Sequence, residues 1–167
     1  NSDGYTTTRV TGGWPVTHGA NTIALWPLSS SNQFLSCSTT TTRTVRVNNE
    51  AGTQVYSASA TAPTPTLGAA HDINACVADG NGRVAVIYNG TTDSLRVYNS
   101  TLATTQCTYS SAVNIPNPAA LAVRANGNFL VYDNTNLSVV ELDSNCGLVA
   151  TYSSNFMNAV NQMLVLQ

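Results

Sequence analysis

The stretch DGNGRVAVIYNGTTDSLRVYNSTLATTQCTYSS, residues 79–111, lies over ANGNFLVYDNTNLSVVELDSNCGLVATYSS, residues 125–154. Both run through the same signals: an Asn-Gly turn, an apolar strand ending in Tyr, a polar turn, a second strand, a turn region with Cys, then Tyr-Ser-Ser. Tyr88 aligns with Tyr132, Cys107 with Cys146 and Tyr109 with Tyr152, at offsets of 44, 39 and 43 residues that small loop differences absorb. A more divergent copy runs earlier, where TVRVNN (44–49) echoes SLRVYN (94–99) and VYS (55–57) echoes TYS (108–110). A period of roughly 40–50 residues constrains the fold strongly, because one such unit cannot bury both of its faces and must stack on its neighbours.

Within each unit the pattern is that of strands. In the middle copy four runs, 73–78, 84–88, 95–98 and 106–110, carry Val, Ile, Thr and Tyr and are bounded by Gly, Asn, Asp and Thr clusters. No sustained i, i+3, i+4, i+7 apolar stripe argues for a helix. The reading is an all-β, β-propeller-like array of about three four-stranded antiparallel units, forming one domain over 1–167. The units span about 20–62, 69–115 and 117–160, with unpaired end strands at 4–10 and 161–167.

The surface implied is polar without being charged. Charged residues make up 8% of the chain, against a usual ~25%. Thr, Asn and Ser number 23, 19 and 16, and all six basic residues are Arg. With a net charge of −2 and scattered arginines, the chain offers nothing to attract nucleic acid. No apolar run approaches the ~20 residues of a membrane span, which argues against membrane insertion. Cys37, Cys76, Cys107 and Cys146 form no C-x-x-C motif, and their separations are 39, 31 and 39 residues. Together with three Asn-x-Ser/Thr triplets, at Asn89, Asn99 and Asn136, the even cysteine count points to an oxidising, extracellular or cell-surface setting. The equal 39-residue separations place each pair on neighbouring units and predict Cys37–Cys76 and Cys107–Cys146 among three possible pairings. Glycan is expected at Asn89, Asn99 or Asn136, with Asn89 first.

The segment LAVRANGNFLVYDNTNLSVVELDSNCGLVATY (121–152) resembles a β-propeller blade of the NHL or YVTN type. The resemblance rests on an apolar first strand, the Gly127-Asn128 turn, a strand ending Val131-Tyr132-Asp133, Asn136 before a Val-rich third strand, and Asp143 and Gly147 in a second turn. It spans about 23–152 and implies a scaffold without implying an activity. RANGNFLVYD (124–133) also resembles a repeat of the mannose-binding bulb lectins, a β-prism, but that lectin site needs a Gln where Arg124 stands. The chain departs from a closed propeller in having three units. It opens on a fourth-strand pattern, GYTTTRV (4–10), and ends on a first-strand pattern, NQMLVLQ (161–167). It starts at Asn1 with no charged-then-apolar leader, so it reads as a processed or excised piece. Open strand edges are templates for pairing, so Met163, Leu164, Val165 and Leu166 are expected to pair with the N-terminal strand or with another polypeptide.

Candidate chemistry is sparse. His71-Asp72 has the makings of a base-and-orienter pair or of two metal ligands, yet no third ligand or nucleophile is placed by the sequence, and His18 is the only other histidine. Asp79-Gly80-Asn81-Gly82 and Asp133-Asn134-Thr135-Asn136 carry oxygens for Ca²⁺ but too few carboxylates, and Asx residues serve turns by accepting local N–H groups. Trp14, Trp26 and the seven tyrosines are aromatics of the kind that stack sugars, but Tyr88, Tyr109, Tyr132 and Tyr152 recur with the repeat and read as packing residues, and Trp14 is the exception that lies outside the strand pattern. The Thr-rich 38–44 and Pro-stiffened 60–66 tracts are candidate O-glycan acceptors. No catalytic site, metal or cofactor is expected. The expected function is a non-catalytic extracellular scaffold glycoprotein, a self-assembling subunit of a surface appendage or filament. The alternatives are a carbohydrate- or protein-binding propeller module and a fragment of a larger propeller enzyme.

Overall fold

The computed structural model describes residues 22–28, 33–38, 44–49, 51, 53–59, 72–90 and 93–153. All regular elements among them are strands, in three antiparallel sheets, each a meander in chain order. The first sheet holds β1 (Thr22–Leu28), β2 (Gln33–Ser38), β3 (Thr44–Asn49) and β4 (Gln54–Ser59). The second holds β5 (Asp72–Ala78), β6 (Val84–Asn89), β7 (Ser94–Tyr98) and β8 (Thr105–Ser110). The third holds β9 (Pro118–Val123), β10 (Phe129–Asp133), β11 (Ser138–Leu142) and β12 (Leu148–Ser153). The four strands expected in the middle unit lie within a residue of their observed ends. Over the described residues the fold is all-β, a propeller-like array of small four-stranded units.

The sheets stack face to face because the middle one is apolar on both sides. Successive side chains of a strand point to opposite faces. Val84, Val86 and Tyr88 of β6 and Tyr98 of β7 therefore turn to the first sheet and pack with Leu28, Leu35, Cys37, Val45 and Val47. Ala85 and Ile87 of β6 and Leu95 and Val97 of β7 turn the other way, onto Leu121, Phe129, Val131, Val140 and Leu142. Burial on both faces is why VAVIY reads as a continuous apolar run. A prism, whose sheets enclose one shared core, would bury only one face of each. Each fully buried Val, Leu or Ile contributes roughly 1.5–3 kcal/mol relative to exposure, so the two interfaces supply the core that a single sheet lacks. β5 packs on β1 and β9, placing the first strands of the units side by side, while the fourth strands β8 and β12 lie largely in solvent.

The structure corrects two of the three correspondences drawn from the letters. Gly82 and Gly127, at φ 79° and 84°, hold the same place in the β5–β6 and β9–β10 turns. Val84 therefore corresponds to Phe129, and Tyr88 corresponds to Asp133 rather than to Tyr132. A one-residue slip reverses the face of a strand residue: Tyr88 packs towards the first sheet, whereas Tyr132 clusters with Ala120 and Val139 on the far side of the third. Cys146 likewise matches Leu102, both at positive φ in a β-turn, and not Cys107, which lies in β8. The Tyr109–Tyr152 correspondence stands, since Tyr109 pairs with Leu95 as Tyr152 pairs with Val139.

Candidate functional site

The acidic loops use their oxygens on the backbone. Asp79 Oδ1 accepts the N–H groups of Asn81 and Arg83 at 3.0 and 2.7 Å, and Oδ2 accepts Arg83 Nε at 2.7 Å. Asp133 Oδ1 accepts from the N–H groups of Thr135 and Asn136, while Oδ2 accepts the Asn117 N–H at 2.6 Å. Asp143 Oδ1 accepts from Asn145 and Gly147 at 2.8 and 2.7 Å. A Cβ on Gly147 would sit 2.8 Å from Asp143 Oδ2, so a larger residue there would push the carboxylate off the Gly147 N–H. These are Asx turns, the reading taken for Asp79 and Asp133 over Ca²⁺ loops. Among the described residues no three His, Cys, Asp or Glu side chains converge to hold a metal ion.

Adjacent sheets are joined by disulfides, that between the second and third lying at the end of the array where the β5–β6, β9–β10 and β11–β12 turns lie. Cys37 of β2 is bonded to Cys76 of β5, and Cys107 of β8 to Cys146 of the β11–β12 turn, with Cα atoms 6.4 and 5.8 Å apart. Each bridge crosses one sheet interface. Arg83 Nη1 reaches across the second interface to donate to Ser144 O at 2.8 Å, and the guanidinium lies 5.6 Å from the Phe129 ring centroid. The disulfides are compatible with an oxidising compartment. No helix among the described residues is long and apolar enough to cross a membrane.

At the opposite end an amide network ties the 111–117 connector to both sheets. Asn89 Nδ2 donates to Asn117 Oδ1 at 2.8 Å, and Asn117 O accepts the Asn134 N–H at 2.9 Å. Asn136 Nδ2 donates to Val113 O and Asn114 O at 2.7 and 3.4 Å, and Asn114 Nδ2 donates to Tyr109 Oη at 2.6 Å. Two of the three sequon asparagines thus serve this network. The third, Asn99, lies in the β7–β8 turn.

The far face of the third sheet carries a cluster that sequence reasoning missed. Glu141, 3% exposed in β11, accepts Tyr152 Oη at 2.6 Å, Asn128 Nδ2 at 2.7 Å and Arg124 Nη1 at 3.0 and 3.2 Å. The Tyr152 hydroxyl first, then Asn128 and Arg124, hold the Glu141 carboxyl below its ordinary pKa, and the same hydrogen bond raises that of Tyr152. A carboxylate so stabilised is a poor general base, and the tyrosine a poor acid, near neutrality. The available signal was one acidic residue inside the apolar run SVVEL. A second buried pair, Tyr88 and Tyr98, brings its hydroxyls to 3.2 Å, with the Arg96 guanidinium 5.3 Å from the Tyr88 ring. Burial first raises both tyrosine pKa values.

His18, His71, Trp14, Met163, Leu164, Val165, Leu166 and both end strands lie outside the described residues, as do the two candidate O-glycan tracts apart from Ser38 and Thr44, both buried. No family model and no curated protein matches the chain. Among solved structures it is similar to a protein of unknown function from Bacteroides caccae, with TM-score 0.59 and 13% identity over 84% of this chain and 48% of that one. That likeness concerns the fold alone. The chain spans about half the length of that relative.

Proposed function

We propose that the chain is a non-catalytic scaffold glycoprotein of the extracellular space or cell surface, a subunit that assembles through its end strands into an appendage or filament. The observation that carries the reading is the way its chemistry is spent. Both sheet interfaces are crossed by disulfides, and the clustered Asp, Glu and Arg side chains secure turns, sheets or one another. A stack of sheets joined in this way transmits load between units without relying on burial alone. Partners in this reading are further copies of the chain, or another polypeptide that adds a strand.

The test is the native mass distribution of the full chain with its disulfides intact. Assembled species that disappear on deletion of 161–167, with the 72–153 region still folded, support the scaffold. A truncated chain that assembles as well as the full one overturns it. A second reading, part of a larger propeller whose binding or catalytic loops belong to other sheets, is favoured by the 48% coverage of the Bacteroides caccae protein. It predicts a monomer under the same measurement.

A further inference from the structure

Resting on the reading of a secreted glycoprotein, we infer that Asn99 is the N-glycan acceptor this fold accommodates, and that Asn89 and Asn136 are structural amides despite their sequons. An N-linked sugar replaces one hydrogen on Nδ2 and leaves the side-chain carbonyl oxygen in place. An acceptor in a folded chain therefore needs one Nδ2 hydrogen unengaged and solvent beside it, whereas its Oδ1 can be fully engaged.

The three sites differ in which end of the amide the fold uses. At Asn99 it uses the oxygen: Oδ1 accepts Thr101 Oγ1 at 3.1 Å and the N–H groups of Ala103 and Thr104 at 3.0 and 3.3 Å. These bonds fix the side chain. Among the described residues no acceptor meets Nδ2, and Ser100, Ala103 and Thr104 around it are exposed. At Asn136 the fold uses the nitrogen, which donates to Val113 O and Asn114 O, so a sugar would displace a bond that holds the 111–117 connector. At Asn89 the nitrogen donates to Asn117 Oδ1, partly buried between the second and third sheets, where a sugar has little room. The third sheet shows that the Asn99 turn depends only on the oxygen. There Asp143 Oδ1 fills the same role towards the N–H groups of Asn145 and Gly147.

The test uses the full chain secreted from a eukaryotic host, in versions that keep one sequon each. The other two sequons are removed through their hydroxyl residues, with Thr91→Ala, Thr101→Ala or Ser138→Ala, so that every asparagine stays in place. Intact mass before and after glycosidase treatment should show one glycan on the Asn99 version and bare Asn89 and Asn136 versions. In the parent background, Asn99→Asp should remove that glycan while leaving the melting temperature of the deglycosylated chain unchanged, because an Asp oxygen serves the equivalent turn. A bare Asn99, or comparable occupancy at Asn89 or Asn136, overturns the assignment. Native mass after deglycosylation separates the two ideas: a monomer defeats the scaffold whatever the occupancy, and a bare Asn99 defeats this assignment whatever the mass.

Discussion

The far faces of the second and third sheets hold equivalent positions in the repeat but differ in chemistry. Where the second sheet has Ile87, Leu95 and Val97, packed on Phe129 and Val140 of its neighbour, the third has Tyr132, Val139 and Glu141. Where the second has Arg83 and Cys107, which reach across to Ser144 O and Cys146, the third has Asn128 and Ala150. A stacked face needs every central position apolar and its crossing groups at the rim. A carboxylate enters such a face only with partners for its oxygens, as Tyr152, Asn128 and Arg124 provide for Glu141.

The comparison breaks most directly by moving the carboxylate. Val97 is fully buried at the position equivalent to Glu141, and Arg83 and Tyr109, which stand where Asn128 and Tyr152 do, are already engaged by Asp79, Ser144 O and Asn114. Val97→Glu should cost about 3–5 kcal/mol, as an uncompensated buried charge does. A urea midpoint for the oxidised chain within ~1 kcal/mol of the parent would mean that the second and third sheets do not stack tightly.

Next in size are the bridges. Each closes a 39-residue span, for which the chain-entropy account gives on the order of 3–4 kcal/mol. Cys107→Ser with Cys146→Ser should lose about that much in urea unfolding, and Cys37→Ser with Cys76→Ser a similar amount. Cys146 sits at φ 66°, where a side chain costs roughly 1–2 kcal/mol, so pairing Cys107→Ser with Cys146→Gly should recover part of the loss. Equal stability of the Ser and Gly versions would show that the turn relaxes once the bridge is gone.

The strands and the cysteine pairing were legible because both are one-dimensional signals. Turn residues bound VAVIYN and FLVYD on either side, and two 39-residue separations on a repeat lead across one interface each. The Glu141 cluster was not legible. Arg124, Asn128, Glu141 and Tyr152 meet only through the pairing of Leu130 with Glu141 and of Val139 with Tyr152, and register between strands is not written in the pattern of any one of them. The Tyr88–Tyr132 alignment failed for a related reason: matching the same letter moved it one residue, which in a strand is the difference between two faces.

The two sites should also answer pH in opposite directions. Tyr88 and Tyr98, raised by burial at the first interface, contribute stability that is whole below pH 10.0 and lost as pH rises above it towards their folded values. Glu141, depressed, contributes stability that is present near neutrality and lost as pH falls through the carboxylate range. Urea midpoints across pH should fall at both extremes. Tyr88→Phe should flatten the alkaline limb and leave the acid limb, whereas Glu141→Gln should flatten the acid limb and, by releasing Tyr152, also lessen the alkaline one; an acid limb that survives Glu141→Gln belongs to other groups.

The smallest effect expected is the most specific. Tyr152 is half-exposed, so losing its hydroxyl should lower global stability only by its share in holding the Glu141 carboxyl down, of which it is the first of the contacts. Tyr152→Phe should therefore raise the Glu141 pKa more than Asn128→Ala does. The order follows from geometry. The hydroxyl at 2.6 Å is the shortest bond to the carboxylate. The sequence has two glutamates, Glu50 and Glu141, so a chain labelled at the glutamate carboxyl carbons gives two resonances to follow. If the resonance lost in Glu141→Gln titrates at the same pH in Tyr152→Phe as in the parent, the cluster does not form in solution. The far face of the third sheet would then carry an unpartnered carboxylate, which the second sheet's face excludes.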